Sequence, residues 1–198
     1  MKRNLFLLLL FAFSFTNAQN HLNAIQNHFD TTRSQTELTL DDVSDFEVKS
    51  STYSKSMRMD NVYVSQRVQG IEVFNSTSVF GIKNGVVVSS KIGFIVNSTQ
   101  KLNTTTPAIT AQNAIVQGAL ALSIPAPTGL EIIEAKGPHS FIFNSGSISL
   151  QPIPVSLVFQ PMDDNTLRLA GDSSIYLLDA SHYYSVRFTL LYTSDAAD

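Results

Sequence analysis

Cysteine is absent from the 198 residues, which excludes disulfides, thiol nucleophiles and thiolate metal sites. Charge is scarce as well: Asp, Glu, Lys and Arg make up 15% of the chain, against a usual share of about 25%, and Ser, Thr, Asn and Gln supply the polarity instead. Net charge is −3 and no Lys/Arg run is longer than Lys2-Arg3, so the basic footprint of nucleic-acid binding is missing and no nucleic-acid partner is expected. The sequence contains no HExxH, no GxSxG, no phosphate-binding loop and no GxGxxG. An apolar fraction of 43% in a chain of this length can supply the core of one domain or of two small ones.

The chain opens on MKRNLFLLLLFAFSFTNAQN: two basic residues, an unbroken apolar run from Leu5 to Phe13, then Thr16-Asn17-Ala18. That is the pattern of a secretory signal with cleavage expected after Ala18. The run is short of the roughly 20 residues of a transmembrane helix, and no later segment matches that length, so no stable membrane span is expected after cleavage. A secreted or extracytoplasmic location follows. Asn75-Ser76-Thr77, Asn97-Ser98-Thr99 and Asn103-Thr104-Thr105 fit the glycosylation pattern, which Ser/Thr/Asn-rich chains also generate by chance.

Leu22, Ile25 and Phe29 at i, i+3, i+7 predict a short amphipathic helix. A loop and a strand over 46–53 come next. The stretch NVYVSQRVQGIEVFNSTSVFGIKNGVVVSS, residues 61–90, reads as three strands with turns at Gln69-Gly70 and Asn84-Gly85, the second being a strong hairpin signal. Val62, Val64 and Val68 share one face by alternation, and the fourth member of that row is Gln66. The meander is expected to end near Val96. Polar residues 97–107, closed by proline, read as a connection. Thr110 is placed as the cap of a second helix whose apolar face is Ala111, Ala114, Ile115, Ala119 and Leu122. Strands are expected at 130–135, 140–144, 153–160, 166–178 and 182–190, with Pro152, Pro154 and Pro161 confining the third to an edge or leaving it irregular. Helix then strands, twice, gives an α+β fold of two consecutive lobes, each a helix packed on an antiparallel sheet.

Few side chains suggest chemistry. His21 and His28 lie near each other on the first helix without a third ligand close in sequence. Asp41-Asp42 and Asp163-Asp164 are adjacent pairs that read as solvated turns. Asp172, Asp179 and His182 form the one conceivable acid/base group, with no nucleophile or metal ligand fixed beside it. The chain is expected not to be an enzyme.

Residues 62–90 resemble the fungalysin/thermolysin propeptide motif, with Gln66, Gly70, Ile71, Val73, Phe74 and Gly85 at the matching positions. The helix ITAQNAIVQGALALS is similar to the opening of a PepSY-type lobe, and residues 154–188 resemble the later part of fungalysin-type prosegments. The resemblance implies cystatin-like or PepSY-like lobes at 19–103 and 104–188 after a signal peptide at 1–18. It implies a role too: the prosegment of a secreted zinc metallopeptidase, an intramolecular folding aid and inhibitor whose partner is the cognate catalytic domain. Zinc is then expected only in that domain, which is missing from this chain. Gln66 would hydrogen-bond a neighbouring backbone or the catalytic domain, or else face solvent. Two features depart from the family pattern: Gly171 stands where an aromatic is expected after Leu169-Ala170, and the tail TLLYTSDAAD resembles translated sequencing-adapter sequence, so an artefactual end over 189–198 is expected. The rival readings are a free-standing secreted inhibitor or binding module and an envelope lipid-binding β-protein.

Overall fold

A computed structural model of the chain describes residues 21–189. The expected signal peptide and nearly all of the expected artefactual tail lie outside these residues. The fold is a mixture of helix and strand dominated by nine strands among the described residues. The chain divides into two compact units, split after Gln100. The expected boundary lay three residues later, but Asn103 already belongs to the second unit. Its amide donates to the Leu167 carbonyl at 3.1 Å and its side-chain oxygen accepts from the Leu169 amide at 2.9 Å.

In the first unit, helix α1 is described from residue 21 to 32 and a short helix α2, Leu40–Ser44, follows. Strands β1 (Phe46–Ser54), β2 (Met59–Val68), β3 (Ile71–Lys83) and β4 (Val86–Lys91) then pair as an antiparallel meander. Both predicted turns are present. Gln69 and Gly70 take φ of 52° and 78°, and Asn84 and Gly85 take 51° and 76°. Two successive positive φ values give the twist that closes a two-residue hairpin. Ala24, Ile25 and Phe29 of α1 enter one buried cluster with Val43, Val62, Val64, Phe80, Ile82 and Phe94. The Phe29 ring meets Phe80 edge-on and stacks on Phe94, each at 5.5 Å, geometries that add to the burial of the rings.

The second unit holds helix α3 (Ala111–Ala121) and strands β5 (Ile132–Gly137), β6 (Ser140–Phe143), β7 (Ile153–Pro161), β8 (Leu167–Tyr176) and β9 (Tyr183–Thr189), antiparallel in sequence order. Thr110 caps α3 by accepting from the Asn113 amide at 3.2 Å. The helix ends where Ser123 turns left-handed at φ 60° and the Ile124 amide reaches back to the Ala119 carbonyl at 2.9 Å, a C-terminal motif that satisfies an orphan carbonyl. Ile115 and Ala119 pack with Phe143, Ile153, Val155 and Ile175.

The expectation for β7 needs correcting, because it is an interior strand paired with both β6 and β8. The Leu157 amide donates to the His139 carbonyl on the β6 side, so by alternation residue 154 directs its backbone towards β8. There the ladder ends at Val155↔Ser173, one pair before the Pro154 N–H would be needed. The proline therefore removes no ladder bond.

Gly171 also finds an explanation. It pairs with Phe188 of β9, and the Phe188 ring lies over it, so that a Cβ at 171 would stand 2.5 Å from a ring carbon. A Cβ at Gly118 of α3 would meet the same ring at 2.8 Å. Two glycines thus form a slot for an aromatic ring delivered by the neighbouring strand. Gly171→Ala is expected to lower stability by about 1–3 kcal/mol through overpacking, and Gly171→Ala combined with Phe188→Leu to recover part of it. Chemical denaturation of the three proteins measures this.

Candidate functional site

Gln66 is fully buried. Its Nε2 donates to the Asp42 carbonyl at 3.2 Å and the Ile95 carbonyl at 3.0 Å, with Ser98 Oγ at 3.4 Å, and its Oε1 accepts from the Ile95 amide at 2.8 Å. The amide therefore bonds neighbouring backbone within its own unit and presents no surface to solvent, which corrects both the solvent-facing reading and a direct partner contact by this side chain. The strand geometry is adjusted around it. Register slips between Ser65↔Thr77 and Arg67↔Glu72, so β3 bulges opposite Gln66. Asn75 takes φ 59° in that bulge, and the Ser76 hydroxyl donates to the Val73 carbonyl at 2.6 Å while accepting the Gln66 amide at 3.2 Å.

The reason for an amide here is the path of residues 92–95, which leave the β ladder. Backbone groups that lose a ladder need other partners. Buried side chains supply them: Ser78 Oγ accepts from the Gly93 amide at 2.9 Å, Gln66 takes both polar groups of Ile95, and Asp42 accepts from Asn97 N and Ser98 N, each at 2.8 Å. Position 93 must be glycine for this approach, since a Cβ there would collide with the Thr77 carbonyl oxygen.

Asp42 corrects the reading of Asp41-Asp42 as a solvated pair. Its side chain is fully buried and its carboxylate accepts five hydrogen bonds: the two from Asn97 and Ser98 amides, one from Ser98 Oγ at 2.6 Å, and two from Thr39, N at 2.9 Å and Oγ1 at 2.8 Å. Thr39 and Asp42 form a capping box at the start of α2. Burial pushes the Asp42 pKa up, but the bonds from Ser98 and Thr39 outweigh it and leave the group below the ordinary carboxylate value. No cation is among these partners. The sequence held a signal for this, the Thr-x-x-Asp spacing of Thr39-Leu40-Asp41-Asp42.

The remaining motif residues lie on the β2–β3 and β3–β4 hairpins. Gly70 donates its amide to Asp45 Oδ2 at 2.9 Å, and its carbonyl accepts from Arg67 at 2.7 Å. Ile71 and Val73 are buried, Phe74 is half-buried, and Gly85 sits exposed at the far end of β3. The histidines go to separate partners: His21 to Asp60 at 3.4 Å and His28 to Ser90 at 3.1 Å, with burial holding His28 below its ordinary pKa. Asp172 pairs with Arg187 at 3.2 Å, whereas Asp179 accepts from Ser181 Oγ at 2.6 Å in an exposed turn and His182 Nδ1 lies 2.9 Å from that hydroxyl. The three acid/base candidates are thus not assembled. Asp164 closes its own turn on Thr166. Among the described residues no group of three His, Asp or Glu side chains stands together as a metal site.

The second unit carries a groove of about 310 Å³ lined by Ile109, Ala114, Phe141, Val155, Leu157 and His139, among others. An apolar concavity of this size is at the small end of ligand sites. No helix among the described residues is long and apolar enough to cross a membrane. The chain matches no protein-family model and no curated protein.

Gln66→Leu is expected to cost about 2–4 kcal/mol, because it strands the buried polar groups of Ile95 and the Asp42 carbonyl. A depressed Asp42 pKa contributes stability that is fully present above the unfolded carboxyl value of about 3.9 and is lost as pH falls below it towards the folded value. Asp42→Asn should therefore lower stability at neutral pH and flatten the fall of stability below about pH 4. Urea melts of both proteins across that range measure the difference.

Proposed function

We propose that the chain is the prosegment of a secreted zinc metallopeptidase, a folding aid and inhibitor of a catalytic domain that is not among these 198 residues. The observation that carries this reading is that the residues of the propeptide-like motif lie where the first unit's architecture is decided. Gln66 ties α2, β2 and residues 95–98, Gly70 closes the β2–β3 hairpin and Gly85 the β3–β4 hairpin. A motif built from a staple and its turns specifies a lobe, which is what a prosegment must present to its partner. On this reading each unit is a lobe of the cystatin-like or PepSY-like kind, the helix face of α1 or α3 entering the apolar cluster of its own antiparallel strands. The zinc and the hydrolytic steps belong to the partner domain, and no residue of this chain is given a part in them.

One observation favours a second reading, a carrier of small apolar molecules: the groove beside α3. Calorimetry separates the two. The mature chain, titrated into a zinc-loaded fungalysin-type catalytic domain from the same source, is expected to bind and to inhibit in proportion to its concentration. Inhibition in trans will be weaker than in cis, since a short tether commonly supplies an effective concentration in the mM range. Saturable binding of an apolar fluorescent probe, with none of the peptidase domain, would replace this reading with the carrier.

A further inference from the structure

The geometry points to a peptidase clip site at Lys55–Ser56, in the β1–β2 hairpin tip, for an endopeptidase of trypsin-type specificity that cleaves after a basic side chain. Residues 55–58 are all exposed, and 49–53 of β1 are exposed on both faces of the strand. Only Phe46 and Val48 of β1 touch the core cluster. The tip's hydrogen bonds are its own: Ser54 Oγ to Ser56 Oγ at 3.3 Å and Met57 N to Ser54 Oγ at 3.4 Å. Opening 49–58 breaks the outer pairs of one edge ladder and the Lys49–Glu72 ion pair, and the residues it releases are themselves exposed apart from half-buried Ser54, the kind of low-cost local unfolding on which cleavage of folded proteins depends. A substrate strand enters a cleft extended, and this segment can become so.

The other basic residues among those described are held differently: the Arg33 carbonyl accepts from the Thr36 amide and hydroxyl at 2.9 and 2.8 Å, and Lys101 ends a 3-10 turn whose next residue, Leu102, is bridged to Leu167. Lys49 is paired with Glu47 and Glu72, Arg67 with Asp45, Arg168 with Asp164 and Arg187 with Asp172. Lys83 and Lys91 lie in register with Val86 and Val79. Lys136 is exposed next to the β5–β6 tip, but that tip is tied to β7 by the Leu157 amide on the His139 carbonyl at 2.8 Å. Within the tip, Lys55 precedes Arg58 as the cut, because Arg58 is left-handed at φ 53° and the residue after it, Met59, is buried.

The reaction is hydrolysis: one water adds across the Lys55–Ser56 peptide bond, leaving a carboxylate on Lys55 and an amine on Ser56. The nicked chain is expected to stay assembled, since Gln66, Asp42 and the core cluster all lie outside the opened segment. The inference concerns the chain itself and stands whether or not it is a prosegment. The test is limiting digestion of the purified chain with trypsin, with mass spectrometry of the earliest products. The first new ends should be Lys55 and Ser56, and Lys55→Gln should slow the first cut by about ten-fold or more, because a cation-binding pocket rejects a neutral side chain. A first cut at Lys83, Lys91 or Lys136, or equally fast cutting of Lys55→Gln at the tip, would overturn it.

Discussion

A carboxylate buried without a cation governs the first unit. Removing a charge from water costs several kcal/mol even after relaxation, and Asp42 offsets that with five donors, all neutral. Such bonds are stronger than neutral pairs because one partner is ionised, and three pieces of chain meet around them: α2 with Thr39 at its start, the Asn97-Ser98 turn, and β2, whose Gln66 holds the Asp42 carbonyl. Once these are fixed, the path of 92–95, the bulge of β3 and the rotamer of Gln66 have little freedom left. The amide in an otherwise apolar row is a replacement for a missing strand ladder.

The second unit solves the same problem of specification with shape. Its cluster around Ile115, Phe143, Ile153 and Ile175 is apolar, and the fit between α3 and the sheet is set by two glycines facing one phenylalanine ring. The first unit would lose hydrogen bonds on mutation where the second would gain collisions. The two kinds of damage differ in sign of volume change, and so in which substitutions each unit tolerates.

Much of the fold was legible in local pattern. Alternation marked β2 and β3, the two turn pairs marked the hairpins, and Thr110 with the Ala/Ile spacing marked α3, because each of these signals is complete within a dozen residues. What was missed is non-local or too short. Helix α2 spans five residues, less than two turns, so periodicity has nothing to register. Asp42 reads as solvated from sequence since the partners of its carboxylate, apart from Thr39, lie more than fifty residues away. Pro154 inside a central strand and Gly171 beneath Phe188 depend on strand register, which alternation alone does not provide. For Gln66 the sequence marked the residue as anomalous and left its partner open.

The separation of these partners sets an order of events in folding. The bond between Ser98 and Asp42 closes a loop of 56 residues, whereas the two hairpins close across two-residue turns. Loop-closure entropy makes the hairpins early and the carboxylate's enclosure late. Until residues 97 and 98 arrive, Asp42 keeps its water, and the nascent unit can hold a formed meander with an unfixed C-terminal segment. In a chain made from the N-terminus onward, completion of the first unit therefore waits for Ser98, only three residues before the second unit begins at Lys101.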